Sequence, residues 1–386
     1  MTSAVRTRKD YEREEFERLA PYAVKSAESL GRIAEEAEHE YRTAFQRDRD
    51  RIVHSQAFRR LEYKTQVFIY HEGDHYRNRL THTLEASQIA RTIARALRVN
   101  EELAEAIALA HDLGHTPFGH AGERRLDLLL EEEGGFDHNR QSLRIVDLLE
   151  VRYPGFRGLN LTAETRGGIL KHGCDWEHPV ALPPPTPSPS LEAQTTDVSD
   201  EVAYTNHDLD DGLRSGLLTL EMLDEVRLWK SARASVEERL GEAPARVLRA
   251  QTIVALMNHL VTDLIEASGR RLDLAGLESV AEVRDRSSFL VGFSELVQAD
   301  KADLKNFLHV NLYSHPRVLQ VSERAQGILG GLFRAYREDP RKLPVHVVAR
   351  FAEEGEARAV GDYIAGMTDR FALAEHRRLL DLDELL

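Results

Sequence analysis

The sequence is short of cysteine, of long apolar runs and of positive charge. One cysteine, Cys174, in 386 residues leaves no intramolecular disulfide and no multi-cysteine zinc site, and it suits a reducing compartment. No uninterrupted apolar segment approaches the roughly 20 residues that span a bilayer. The first residues, MTSAVRTRKDYEREEFERL, contain no apolar core of a secretory signal, so a soluble, cytoplasmic protein is expected. With 51 Lys+Arg against 65 Asp+Glu, the net charge of −14 gives no global basic footprint for duplex nucleic acid. Three catalytic frameworks are missing as well. The nearest Gly-rich piece, EEEGGF, lacks the lysine and the spacing of a phosphate loop, and there is neither a Gly-x-Ser-x-Gly elbow nor a GxGxxG turn. P-loop, α/β-hydrolase and Rossmann chemistry are thereby set aside.

Histidine and helical periodicity are what the chain has in quantity. Apolar residues recur at three- and four-residue spacing over 77–98, 101–112, 139–150, 193–208, 245–268, 301–310 and 317–338, which predicts an all-α, multi-helix bundle with few or no strands. VFIY (67–70) and the start of VHVVARF (345–351) are the only short β candidates. Asn100 before EELAEA, and Thr162 with Thr165, read as helix N-caps. The run ALPPPTPSPS (181–190) predicts an extended surface loop inside one domain, and its place ahead of Asp200 makes it a candidate flap.

Seventeen histidines gather in and beside a few short stretches. AHDLGHTPFGH (110–120) holds His111, Asp112, His115 and His120 where an apolar helix gives way to Gly114 and Pro117. An isolated His-Asp is most often cap chemistry, and a second one at His207-Asp208 shows how little the dipeptide means alone. Company changes the reading. RNRLTHTLEASQIARTIA puts Arg79 and His82 three apart on one helix face, and FDHNRQSLRIV opens another helix at His138. TTDVSDEVAYTNHDLDDGL places Asp200, Tyr204 and Asp208 at successive four-residue steps, with His207 close to the same stripe. Imidazoles and carboxylates in an open N/O set suit a transition metal or a magnesium-like ion.

These segments, with DRDRIVHSQAFRRLEYKTQVF (48–68) and ILKHG, carry a resemblance to the HD superfamily of metal-dependent phosphohydrolases, and within it to the deoxynucleoside triphosphate triphosphohydrolases of the dGTPase-like branch. The likeness runs from about residue 45 to about 320, implying an N-terminal helical extension (1–45), a catalytic core (46–320) and a C-terminal helical segment (321–386) packed on it. It implies a metal site between central helices made by His82, His111, Asp112 and Asp200, with Mn²⁺, Mg²⁺, Co²⁺, Ni²⁺ or Fe²⁺ all acceptable to such donors. It also implies His115, His120 and His138 around the α-phosphate, with Glu123 fixing the His120 tautomer. Arg79, Lys305 and Lys171 would clamp phosphate oxygens. Gln66, Tyr204, Asp208, Tyr313 and His315 would face the sugar and the rest of the nucleotide.

The implied reaction is water attack on the α-phosphorus of a dNTP, giving deoxynucleoside and inorganic tripolyphosphate. Two rival readings stand beside it: another HD phosphohydrolase, such as a nucleotidase or phosphodiesterase, and a non-catalytic nucleotide-binding regulator. The resemblance further implies a homo-oligomer and leaves room for a dNTP effector. Single-stranded nucleic acid stays open as a secondary ligand of the RDRDR patch (47–51), whose plainer reading is a solvated helix start with alternating charges. No membrane partner is expected.

Overall fold

A computed structural model describes residues 5–66, 77–170 and 178–380. Among these residues the chain is helical, with no strand and only two isolated bridges, Arg32 with Thr162 and Thr65 with Asn78. VFIY and Lys171 lie outside the described residues. VHVVARF does not form a strand: Val345–Val348 is a helical turn after Pro344, and Val347 is buried in the C-terminal core. Local β preference yields there to tertiary packing.

Two helices lie at the centre. Arg79–Ala96 starts where the Asn78 side chain accepts from the Thr81 N–H, and it buries His82, Ala86, Ile89, Ala90 and Ile93 on one stripe. Glu101–Ala110 starts at Asn100, whose side chain accepts from Glu102 and Leu103 as expected, and it buries alanines at 104, 106, 108 and 110. Small side chains let neighbouring helices close in. A Cβ at Gly168, on the Ala163–Ile169 helix capped by Thr162, would come 2.4 Å from Ile107. Leu191–Arg214, a 24-residue helix, completes the central layer and carries the Asp200–Tyr204–Asp208 stripe. Around it Trp229, Leu256, Leu260, Leu264 and Leu304 form the largest core, each such side chain contributing roughly 1.5–3 kcal/mol on burial.

A second core joins the Gly119–Leu129 helix to the C-terminal helices Pro316–Glu338, Glu356–Ala365 and Asp369–Leu380. The C-terminal segment therefore packs directly behind the stretch that bears His120. One residue ties it there. The buried Asp369 carboxylate accepts from Thr65 N at 3.0 Å, from Thr65 Oγ1, and from Phe118 N at 2.9 Å. Beside it the buried Lys64 ammonium donates to the carbonyls of His115, at 2.5 Å, and Ala365, at 2.9 Å. Phe118 is held at φ 61°, a left-handed conformation costing a bulky residue about 1–3 kcal/mol. Asp369→Ala leaves two buried N–H groups without an acceptor, at roughly 1–3 kcal/mol each, so a loss of about 3 kcal/mol is expected in urea denaturation. A change below ~0.5 kcal/mol would show that the node is dispensable.

The RDRDR run is spent inside the molecule. Arg49 pairs with Glu102 at 2.9 Å, Arg51 with Glu36 at 2.8 Å, and Asp48 accepts from Arg32, Thr162 and Thr165. The Pro-rich loop 181–190 is tied at both ends, Arg166 donating to the Ala181 carbonyl and Ser188 N to the Arg284 carbonyl.

Candidate active site

The Glu101–Ala110 helix stops one residue before the His-Asp pair, and residues 111–114 form a turn. The turn, not a continued helix, brings His111, Asp112 and His115 together. Its packing depends on Gly114, where a Cβ would lie 2.1 Å from the His138 carbonyl oxygen and 2.3 Å from Ser142 N. Ser142 Oγ donates to the His111 carbonyl and accepts from Gly114 N, both at 2.8 Å, which locks the turn to the His138–Arg144 helix.

His82, His111 and Asp112 offer ligand atoms that all lie within 4.8 Å of one another, and Asp200 adjoins both histidines. His82 Nε2 is 3.0 Å from Asp200 Oδ1 and 4.0 Å from Asp112 Oδ2. His111 Nε2 is 3.4 Å from both Asp112 Oδ1 and Asp200 Oδ1. Such separations suit atoms sharing one ion with bonds of about 2.0–2.2 Å. The His111 tautomer fits as well. Its Nδ1 lies 2.6 Å from the Ala108 carbonyl, which can only accept, so the proton is on Nδ1 and Nε2 presents a lone pair. His82, His111 and Asp112 are buried, and Asp200 is partly open. Burial alone would raise the Asp112 pKa, but Arg79, His111 and His115 together outweigh it and hold the carboxyl well below the usual range. Arg79 Nη1 sits 3.0 Å from Asp112 Oδ2. The set fits a divalent cation.

A second group adjoins the first through His115, whose Nε2 is 3.1 Å from Asp112 Oδ1 and whose ring stacks on His138 with centroids 4.1 Å apart. Burial, then the charges of Arg79 and His138, push His115 well below the ordinary histidine pKa, so it stays neutral. Glu123 does more than hold His120. It lies 3.2 Å from His120 Nδ1, but 2.7 Å from His138 Nδ1, and also accepts from His138 N at 3.0 Å. Burial opposes its ionisation, yet those two imidazoles hold its carboxyl far below the usual range.

The sugar-side candidates meet one helical turn further on. Tyr313 Oη donates to Asp208, and the Tyr204 and Tyr313 rings lie 6.3 Å apart. Gln66, His120, Tyr204 and Tyr313 line one cavity of about 1120 Å³, together with His309 and Arg317. Among the described residues, Gln66 Oε1, Arg79 Nε, His115 Nδ1 and Asp208 Oδ1 are buried polar atoms without a hydrogen-bond partner. Such atoms are costly in a native fold, and their gathering here marks a ligand site.

Two expected residues stand apart. Lys305 is exposed and is not part of the cavity lining; the buried lysine on its helix, Lys301, pairs instead with Glu201 at 2.5 Å. His315 caps the Pro316–Glu338 helix, its Nδ1 accepting from Arg317 N at 3.3 Å, while its neighbours Ser314 and Arg317 reach the cavity. Four residues were not singled out by sequence. Asp369 and Lys64 carry no local signal at all. Glu85 and His309 were both readable as polar residues one turn from a candidate, at His82 and Tyr313.

Asp208 gives the site a pH signature. Burial, with Asp211 adding, pushes its pKa from 3.8 up to about 8, while donation from Tyr313 and Tyr204 opposes the rise. The native state then binds one more proton than the unfolded chain between those values, so stability falls as pH rises from about 4 through 8, by at most ~1.4 kcal/mol per unit. Asp208→Asn, isosteric with the protonated acid, removes that slope. Urea titrations of both proteins at pH 5, 7 and 9 check it, and parallel curves would sink the assignment.

Two family profiles match the chain: an HD domain over residues 79–205 and a phosphohydrolase-associated domain over 291–378. The first covers His82, His111, Asp112 and Asp200, and the second the C-terminal segment that holds Thr65 and Phe118. Proteins described as deoxyguanosinetriphosphate triphosphohydrolase-like are similar along almost the whole length. The one from Ralstonia pickettii (strain 12J) is 51% identical over 371 residues, covering 95% of each chain. That from Bordetella pertussis (strain Tohama I) is 52% identical over 374 residues, covering 94% of this chain and 97% of its own. That from Geobacter metallireducens (strain GS-15) is 49% identical over 366 residues, covering 94% and 95%. With this site and these relatives, the chain belongs to the deoxyguanosinetriphosphate triphosphohydrolase-like family of HD-domain phosphohydrolases and is a hydrolase.

Proposed function

We propose that the protein hydrolyses a deoxynucleoside triphosphate at the α-phosphorus, releasing the deoxynucleoside and intact inorganic tripolyphosphate. The observation that carries this reading is His115, 3.1 Å from Asp112 in one group and stacked on His138 in the other. A phosphoryl group between those groups meets cation-binding donors on one side and proton-bearing imidazoles on the other.

His82, His111, Asp112 and Asp200 would hold the divalent ion, and a bound ion there supplies Lewis acidity and lowers the pKa of water from about 15.7 towards ~7. The chain's own residues do the rest. His120, half exposed with Nδ1 turned to Glu123, offers its Nε2 proton to the departing sugar oxygen, an effect worth roughly 10²–10⁴ in rate. His138, held by the same carboxylate, donates to the α-phosphoryl oxygens as charge builds. Neutral His115, with Nε2 facing Asp112, keeps Nδ1 as an acceptor able to orient the attacking water. Arg79 adds a fixed positive charge beside the phosphates, with its Nε left to donate. Asp208 Oδ1 and Gln66 Oε1 are acceptors for sugar hydroxyls, and the Tyr204 ring crowds the 2′ position, which favours deoxyribose.

Product identity is the test. Purified protein loaded with Mn²⁺ is incubated with the four dNTPs singly and mixed, and the products are resolved by ³¹P NMR. Tripolyphosphate with free deoxynucleoside is the expected outcome. Orthophosphate or pyrophosphate would return the chain to a different HD phosphohydrolase chemistry, and no turnover would favour a nucleotide-binding regulator. Faster turnover in the mixture would reveal a dNTP effector, and light scattering of the same samples reads the oligomeric state that the family suggests. Among the described residues no helix is long and apolar enough to cross a membrane.

A further inference from the structure

The backbone carbonyl that sets the His111 tautomer has a counterpart at His82, built from side chains. His82 Nδ1 lies 3.2 Å from His207 Nδ1, the two rings crossing at 82° with centroids 5.2 Å apart. On the far side of His207, its Nε2 contacts Glu85 Oε2. His82 and His207 are both buried, whereas the Glu85 side chain is about a third exposed and has Arg77 Nε 3.5 Å away. Glu85 follows His82 by three residues on the same helix, so both ends of this chain of contacts stand on one face of Arg79–Ala96, and His207 reaches between them from Leu191–Arg214.

With a cation held between His82 Nε2 and the carboxylates of Asp112 and Asp200, no proton fits on that nitrogen, and proton counting gives the remaining contacts one direction. A carboxylate only accepts, so the proton between Glu85 and His207 belongs to His207 Nε2. A neutral His207 then presents a bare Nδ1. Two Nδ1 atoms in contact need one donor and one acceptor, so His82 supplies the hydrogen, and its Nε2 is left with a lone pair facing Asp112 and Asp200. The opposite arrangement would put a proton on His82 Nε2, donating across the 3.0 Å to Asp200 Oδ1 and closing the ligand position.

We propose that Glu85 and His207 are positioning residues that lock His82 in its metal-binding tautomer and orientation, an inference that rests on the metal-site reading given above. The second His-Asp dipeptide thus has a use of its own: His207 serves the metal ligand, and Asp208 accepts from Tyr313, which lines the cavity. Groups that orient a metal-ligating histidine are typically worth 10–100-fold in metal affinity.

Binding of Mn²⁺ to the full-length, metal-stripped protein tests this without any substrate, by loss of the free Mn²⁺ EPR signal, with the thermal midpoint of each metal-free variant measured alongside. His207→Phe keeps an aromatic ring but removes the acceptor, and its Mn²⁺ Kd is expected to rise about 10–100-fold with little change in the metal-free midpoint. Glu85→Gln retains an acceptor for His207 Nε2–H and is expected to stay closer to wild type than Glu85→Leu, which fills the space and accepts nothing. If His207→Phe does not fold, the Glu85 pair, at a partly exposed position, carries the test. Mn²⁺ affinities within twofold of wild type for His207→Phe or, failing that, Glu85→Leu would overturn the proposal, as would equal losses in Glu85→Gln and Glu85→Leu. Absence of Mn²⁺ binding by the wild-type protein is a separate outcome, which removes the metal-site reading and this proposal with it.

Discussion

Replacing Glu123 by alanine is expected to lower kcat by about 10²–10⁴-fold while leaving KM within a few-fold, because the carboxylate sets the orientation of two imidazoles and is not itself part of the cavity lining. The size follows from what is lost. His138 gives up a 2.7 Å contact at Nδ1 and a 3.0 Å one at its backbone N–H, and His120 gives up its 3.2 Å contact. Both rings then turn freely, and neither holds its Nε2 at a fixed place. Since Glu123 and His120 act as a unit, the double variant His120→Ala/Glu123→Ala should be little worse than the more damaging single change. Steady-state kinetics of the three variants decide it. Multiplicative losses would mean that Glu123 and His120 act independently, and a Glu123 variant with near wild-type kcat would remove the acid from the mechanism.

Much of this was legible in the sequence because local rules governed it. Helix starts at Asn100 and Thr162 follow from side chains that accept backbone N–H groups nearby, and the Asp200–Tyr204–Asp208 stripe follows from the helical repeat alone. Of the four residues that the resemblance singles out as ligands, His82, His111 and Asp112 lie in one group, and Asp200 is 3.0 Å from His82 and 3.4 Å from His111. What local rules do not contain is long-range. Asp369 reaches Thr65 and Phe118 across some 250–300 residues of chain, and nothing in the local sequence MTDR (367–370) distinguishes a buried aspartate from a solvated helix cap. Spacing could not assign Glu123 to His138 as well as His120, because the second contact spans two helices. The same limit separates Lys301 from Lys305: they stand one helical turn apart in one charged stretch, Lys305 is the one expected at the phosphates, and only packing buries Lys301. His315 shows the opposite ambiguity, since a histidine before Pro316 can cap a helix as well as meet a ligand.

Gly114→Ala is the second large effect expected, and it acts through backbone alone. A methyl group at this position would sit 2.1 Å from the His138 carbonyl oxygen, 2.3 Å from Ser142 N and 2.8 Å from the Gln141 carbonyl carbon. None of these is the end of a flexible side chain, so relief requires the 111–114 turn to separate from the His138–Arg144 helix. Separation breaks the paired Ser142 contacts to His111 and Gly114 and parts His115 from His138, the stacking that joins the two halves of the site. A core that must shift backbone to admit one methyl loses more than the usual 1–3 kcal/mol of overpacking, and about 4 kcal/mol is expected here. Urea denaturation reads that loss directly. Turnover measured on the protein that remains folded should fall by more than 10²-fold, because displacing a catalytic group by about 1 Å already costs on that order. A Gly114→Ala protein with wild-type stability and turnover would mean that the turn and the His138 helix are not in the close contact on which the joined site depends.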